Sequence, residues 1–166
     1  MISSDTFIRT VISGFIATFF MTIISFLQGG IGLPVIDVGH ILKESFNYVH
    51  GSQVYNIFWG NLAYNIVGIL LALIWVVIFQ ERIPGNWVVQ GLIYGVIISL
   101  AAGLVISPLA MQAAGETVGI FYSETWIPGR ILLAGFIMHL GYGIVLMLCL
   151  KFAGVRGLSA VRMKDA

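Results

Sequence analysis

Charge is what this chain has least of. Only 9% of its 166 residues are Asp, Glu, Lys or Arg, where a soluble domain carries about a quarter. That excludes an ordinary soluble domain. The 8 basic residues against 7 acidic ones leave a net charge of +1. A nucleic-acid binder draws its affinity mainly from neutralised phosphates, so no nucleic-acid partner is expected. The single cysteine, Cys149, excludes an internal disulfide and a thiolate metal cage. Catalytic signatures are missing as well. The chain has no nucleophile elbow, phosphate-binding loop, zinc-protease helix or paired carboxylates. The Ser and Thr of its apolar stretches have no adjacent base. No catalytic residue is assigned, and the protein is not expected to be an enzyme.

What is abundant is apolar sequence. Hydrophobic residues make up 59% of the chain, and the mean hydropathy is +1.02. Charged residues are absent from Thr10 to Ile36, Ser45 to Gln80, Ile83 to Gly115 and Ile131 to Leu150. A membrane-crossing helix needs roughly 20 mostly apolar residues, so each stretch holds one. The spans fall near 9–29, 56–79, 87–110 and 130–152, in one domain covering 1–166. The expected fold is an all-α integral membrane protein, a four-transmembrane-helix bundle. Pro108 is expected to tip or end the third span. The first span reads as a retained helix, because its apolar run is too long for a signal peptide and no small-x-small site follows it.

Orientation follows the distribution of Lys and Arg in the flanks. Four spans put both termini and the 80–86 turn on one side, with Arg9, Arg82, Lys151, Arg156, Arg162 and Lys164. Lys43 and Arg130 fall on the other. Both termini are therefore expected in the cytoplasm. Tyr55, Trp59, Tyr122 and Trp126 suit an outer aromatic belt, and Trp75, Phe79 and Trp87 an inner one. On the outer side, residues 34–50 are patterned. Pro34 suits a first helical position, Val35, Val38, Leu42, Phe46 and Val49 recur at helical spacing, and Gly51 can stop the helix. An extracytoplasmic amphipathic helix lying in the interface is expected there.

An offset of 77 or 78 residues aligns the two halves. Gly14-Phe15-Ile16 falls on Gly91-Leu92-Ile93, and Asn61 to Val67 falls on His139 to Val145. A tandem hairpin repeat would then be parallel, about an axis along the membrane normal.

In lipid, helices associate through close backbone approach and hydrogen bonds. The third span carries Gly91, Gly95, Ser99, Gly103 and Ser107 every four residues, and the first carries Gly14 and Thr18. These are the expected helix-packing faces, turned inward or, for the third span, toward another polypeptide. The intramembrane polar residues are Asn61, Tyr64, Asn65, His139 and Tyr142. His139 alone among them titrates near neutrality, which makes it the candidate for cofactor binding. Its roles are packing, axial ligation or proton relay. A bis-histidine haem needs a second histidine at depth and a relay needs further ionisable groups, neither of which the spans contain. The residues therefore leave any cofactor unknown. His40 and Glu44, one turn apart, could ligate a metal but equally suit a wet helix face, and no metal site is assigned.

Several strings together carry a resemblance. Gly14-Phe15-Ile16-Ala17-Thr18 precedes Met21, and Gly32-Leu33-Pro34-Val35-Ile36-Asp37-Val38 follows the first span. Pro84-Gly85, Gly91-Leu92-Ile93-Tyr94-Gly95, Ser107-Pro108-Leu109-Ala110 and His139-Leu140-Gly141-Tyr142-Gly143 complete the set. Over residues 10–154 the chain resembles a family of small uncharacterised four-helix bacterial membrane proteins, a domain of unknown function. The resemblance implies the fold and a bacterial inner-membrane location, and no activity. That family tends to carry a histidine in its second span, where Asn61 stands here. The expected function is a non-catalytic accessory subunit of a larger membrane complex, respiratory or photosynthetic. The alternatives are a homo-oligomeric small-solute or ion carrier, and haem, pigment or quinone binding through His139. The expected partners are membrane lipid, other membrane subunits or copies of itself.

Overall fold

A chain this apolar buries its backbone polar groups most cheaply as helix, because every N–H and C=O is then satisfied within the segment. The computed structural model describes residues 3–43, 53–113 and 117–155, and within them the protein is helical without strands. Helix α1 runs Ser4–Gly29, started by Ser3, whose hydroxyl accepts the Thr6 N–H at 3.1 Å. The short α2 is Val38–Lys43. Helix α3 is Gln53–Ile74 and continues as a π-helical turn over Trp75–Phe79. Asn86 caps α4, Trp87–Ala101, by accepting the Val88 and Val89 N–H groups on Oδ1. A second π-turn, Ala102–Ile106, leads into α5, Ser107–Ala113. A 3-10 turn at Ile120–Tyr122 precedes α6, Pro128–Phe152, with proline in its first turn and Lys151 in its last. Four of these helical stretches are long and apolar enough to cross a membrane: Ser4–Gly29, Ile57–Phe79, Trp87–Gln112 and Pro128–Phe152.

The long helices form a ring. Helix α1 packs along α3 on one side and α6 on the other, and α4 packs along α6. The ring closes between α3 and α4 through side chains. The Tyr94 hydroxyl donates to the Leu71 carbonyl at 2.5 Å, and the Trp75 ring lies 4.8 Å from that of Tyr94. The core is Ala17, Met21, Ala72, Trp75, Tyr94, Ile98, Met138, Tyr142 and Leu146 with their neighbours.

Three expectations need correction. Trp75 is not an interfacial anchor. It is fully buried, stacked on Phe79 and packed against Tyr94 of the next helix. Pro108 does not end its helix, which runs on to Ala113. Proline removes an N–H and crowds the carbonyl four residues back. Here the preceding π-turn has already shifted the pairing, with the Ser107 N–H bonded to the Ala102 carbonyl, so the helix absorbs the ring. Finally, residues 34–37 are not helical. The helix that follows is Val38–Lys43, and residues 44–50 lie outside the described ones. The buried Ser25 hydroxyl explains the extended part. It accepts the Ile36 N–H at 2.7 Å and donates to the Ile36 carbonyl at 2.9 Å. Gln28 Nε2 donates to the Pro34 carbonyl at 3.1 Å. The chain therefore folds back along the last turn of α1, and α2 is set against α3 and the end of α5.

Candidate functional site

The small residues sit where helices approach most closely. A Cβ on Gly14 would meet Ala72, Ile69 and Gly68 of α3, and one on Gly68 would run into Thr18. Thr18 is buried and turns its hydroxyl back to the Gly14 carbonyl at 2.8 Å. On α4, a Cβ on Gly91 would meet Gly143 and Ile144 of α6, and one on Gly95 would meet His139 and Leu140. Further along, Ser99 is buried, and Gly103 faces the Phe121 ring. Ser107 shares a 2.9 Å hydrogen bond with the Tyr122 hydroxyl. Phe121 and Tyr122 reach these positions with left-handed backbone, φ 51° and 60°, an uncommon conformation for residues with side chains. The glycine ladder of α4 is thus covered along its length by this chain's own α6 and 118–122 loop.

The polar residues are gathered toward the interior without forming one network. Tyr142 is buried and crosses the bundle to donate its hydroxyl to the Gly68 carbonyl at 2.5 Å. Tyr64 is half-buried and its hydroxyl has no hydrogen-bond partner. Thr22 and Asp37 lie near it. Asn61 and Asn65 each turn their amide N–H back to their own helix, to the Ile57 and Asn61 carbonyls at 3.0 and 2.8 Å. His139 Nδ1 is 2.6 Å from the Gly135 carbonyl. As the N–H donor it leaves Nε2 as the ring's free acceptor. No hydrogen bond joins His139 to Asn61.

Two of these residues combine an inward register with accessibility. His139 lies four residues from the buried Gly135 and three from the buried Tyr142, yet is itself only half-buried. Asn61 shares a face with the buried Gly68 and Ala72 and is exposed, with Gly39 of α2 against its carboxamide. Asp37 and Thr22 near Tyr64, and Tyr94 near Tyr142, are neighbours of the polar residues that sequence reasoning did not place there, and Trp75 packs on Tyr94 in turn. Tyr94 had a usable signal, since it lies inside the Gly91–Gly95 stripe. Asp37 had none, because only the fold-back at Ser25 carries it to Tyr64. Glu44, His50, Glu116 and the side chain of His40 lie outside the described residues, so the His40–Glu44 pair does too.

No family model matches the chain, and no curated protein or solved structure is detectably similar to it.

Proposed function

We propose that this protein is a non-catalytic accessory subunit of a larger membrane complex, engaging its partner through the outer face of α3. The uneven covering of the four long helices carries this reading. In the most apolar window of α3, 22% of residues are buried, against 33–39% in the other three. Ile66 and Leu70 are exposed on it, at 48% and 51%. Lipid tails are as apolar as leucine, so exposure alone does not require a partner. What supports a partner is the difference between the helices, since Asn61 and Asn65 lie on the Gly68 face and turn their amides back to their own helix.

The interior supports a structural role. Two of its tyrosines are spent on backbone carbonyls of neighbouring helices, Tyr142 on Gly68 and Tyr94 on Leu71. A photocrosslinker placed at Ile66 or Leu70 in native membranes should give an adduct of one discrete foreign mass. The same group at Leu133 or Phe136 on α6 should give lipid adducts. Adducts of this chain with itself at α3 would point instead to the homo-oligomeric carrier.

A second reading rests on His139. A ligating histidine normally donates its other ring N–H to a carbonyl or carboxylate, and the Gly135 bond has that form. Haem or pigment held there would give visible absorbance lost in His139→Ala. A quinone would appear in a solvent extract.

The location that goes with both readings is a bacterial inner membrane with both termini cytoplasmic. It rests on the basic flanks and on the family resemblance. The tandem hairpin also belongs here. Gly14 and Gly91, 77 positions apart, each bring the first helix of a hairpin onto the second. Their partners, Gly68 and Gly143, match within one helical turn of that offset.

A further inference from the structure

At the end of the bundle that holds the 80–86 turn, a cleft of about 390 Å³ opens between α3, α4 and α6. Its inner wall is Trp75, which is fully buried and whose indole Nε1–H has no hydrogen-bond partner. An unmet buried donor costs about 1–3 kcal/mol, and native proteins tolerate few of them. Gln80, beside it, is in the same position with the opposite sense. Its Nε2 donates to the Val155 carbonyl at 3.0 Å, while its buried Oε1 accepts nothing. Two residues that line the cleft thus each keep one buried polar atom unmet, a donor on Trp75 and an acceptor on Gln80.

The mouth is cationic. Lys151 Nζ is held over the Trp87 ring, 5.6 Å from its centroid. The Asn86 Oδ1 is occupied by two backbone N–H groups, which leaves its amide N–H₂ to donate. The other wall, Met147 and Leu150, is apolar. The backbone is also irregular at this point. Trp75 opens the π-turn, and Gln80 closes it by bonding its N–H to the Trp75 carbonyl at 2.9 Å. Such turns occur mostly as single insertions inside α-helices, frequently at functional sites. Here the two residues that bound the turn, Trp75 and Gln80, both line the cleft.

We infer that this cleft binds the head group of a phosphoglycerol lipid. A phosphodiester matches the Lys151 and Asn86 donors at the mouth. A glycerol hydroxyl both accepts and donates, so it offers the kind of partner that the Trp75 N–H and the Gln80 carbonyl oxygen each lack. The acyl-bearing end would leave along Met147 and Leu150. Choline lipids share the phosphodiester but present no hydroxyl to the inner wall and carry a cation that Lys151 repels, so they fit the cleft less well.

The test is native mass spectrometry of the full chain in detergent, titrated with phosphatidylglycerol or phosphatidylcholine. One retained phosphatidylglycerol is expected, with about tenfold preference over phosphatidylcholine, the scale of one charge-assisted hydrogen bond. Lys151→Gln, at an exposed position, should remove most of that preference. Trp75→Phe keeps the ring packing and loses the N–H, and it should weaken retention severalfold. Equal retention of the two lipids overturns the inference, as does a preference that both variants leave unchanged. Displacement of the lipid by an equal concentration of soluble glycerol phosphate would assign the cleft to a soluble metabolite and overturn the lipid reading as well.

Discussion

Single glycines fix the helix separations here, and their neighbours differ enough to predict opposite outcomes. A Cβ on Gly143 would meet the Gly91 carbonyl and the Gly95 nitrogen, both backbone, which cannot rotate away. Gly143→Ala should therefore cost about 2 kcal/mol by overpacking. Gly129, in the first turn of the same helix, has nothing within 4 Å of such a methyl, and Gly129→Ala should be neutral or stabilise by about 0.5 kcal/mol. Equilibrium unfolding in mixed detergent micelles distinguishes the two, and similar effects from both would refute the contact assignment. The tyrosines give a second contrast. Tyr142→Phe removes a cross-helix bond and should cost about 1 kcal/mol. Tyr64→Phe removes a hydroxyl with no partner, so it should cost nothing or stabilise slightly. Glycines at four-residue spacing were legible in the sequence because close helix approach selects for them directly. Trp75 was not, since a tryptophan near a span end is ordinarily an interfacial anchor. What buries it is its packing against Tyr94 of the next helix, a tertiary contact that no local pattern encodes.

At the level of elements, the four long helices follow from the spacing of charges, and their described ends differ from the expected ones by a few residues. The connection between α1 and α3 does not follow. Its apolar positions recur at helical spacing from Val35, but the Ser25 hydroxyl captures both backbone groups of Ile36 and holds that stretch extended. A tertiary bond overrides the local periodicity. Ser25→Ala leaves those two groups without their partner. Amide exchange over residues 33–43 should then speed up by a factor equivalent to about 1–3 kcal/mol of lost protection, with the middle of α1 unaffected. Unchanged exchange in 33–43 would mean that packing of α2 on α3, and not Ser25, holds the segment. The two π-turns were likewise invisible to periodicity, because each offsets the helix by only one residue.

For the whole molecule, sidedness is the first quantity to measure. The one native cysteine, Cys149, is half-buried, so Cys149→Ser supplies a background free of thiols. Trp126 and Phe152 are 91% and 81% exposed at opposite ends of α6. In intact cells a membrane-impermeant maleimide should label Trp126→Cys and spare Phe152→Cys. The reverse pattern would invert the topology and place the Trp75 cleft in the outer leaflet. Composition showed the bundle and its basic end plainly. It did not show which helix neighbours which, since four similar apolar rods can be ordered around a ring in several ways. That order has a consequence for biogenesis. The last of the four long helices to be synthesised is the one that both α1 and α4 pack against, and Arg9 of the first helix reaches the Ala153 carbonyl at 2.5 Å. Until residue 128 and its successors are inserted, the grooves on the earlier helices stay unfilled. A prematurely terminated chain would keep them open to membrane chaperones and quality-control proteases.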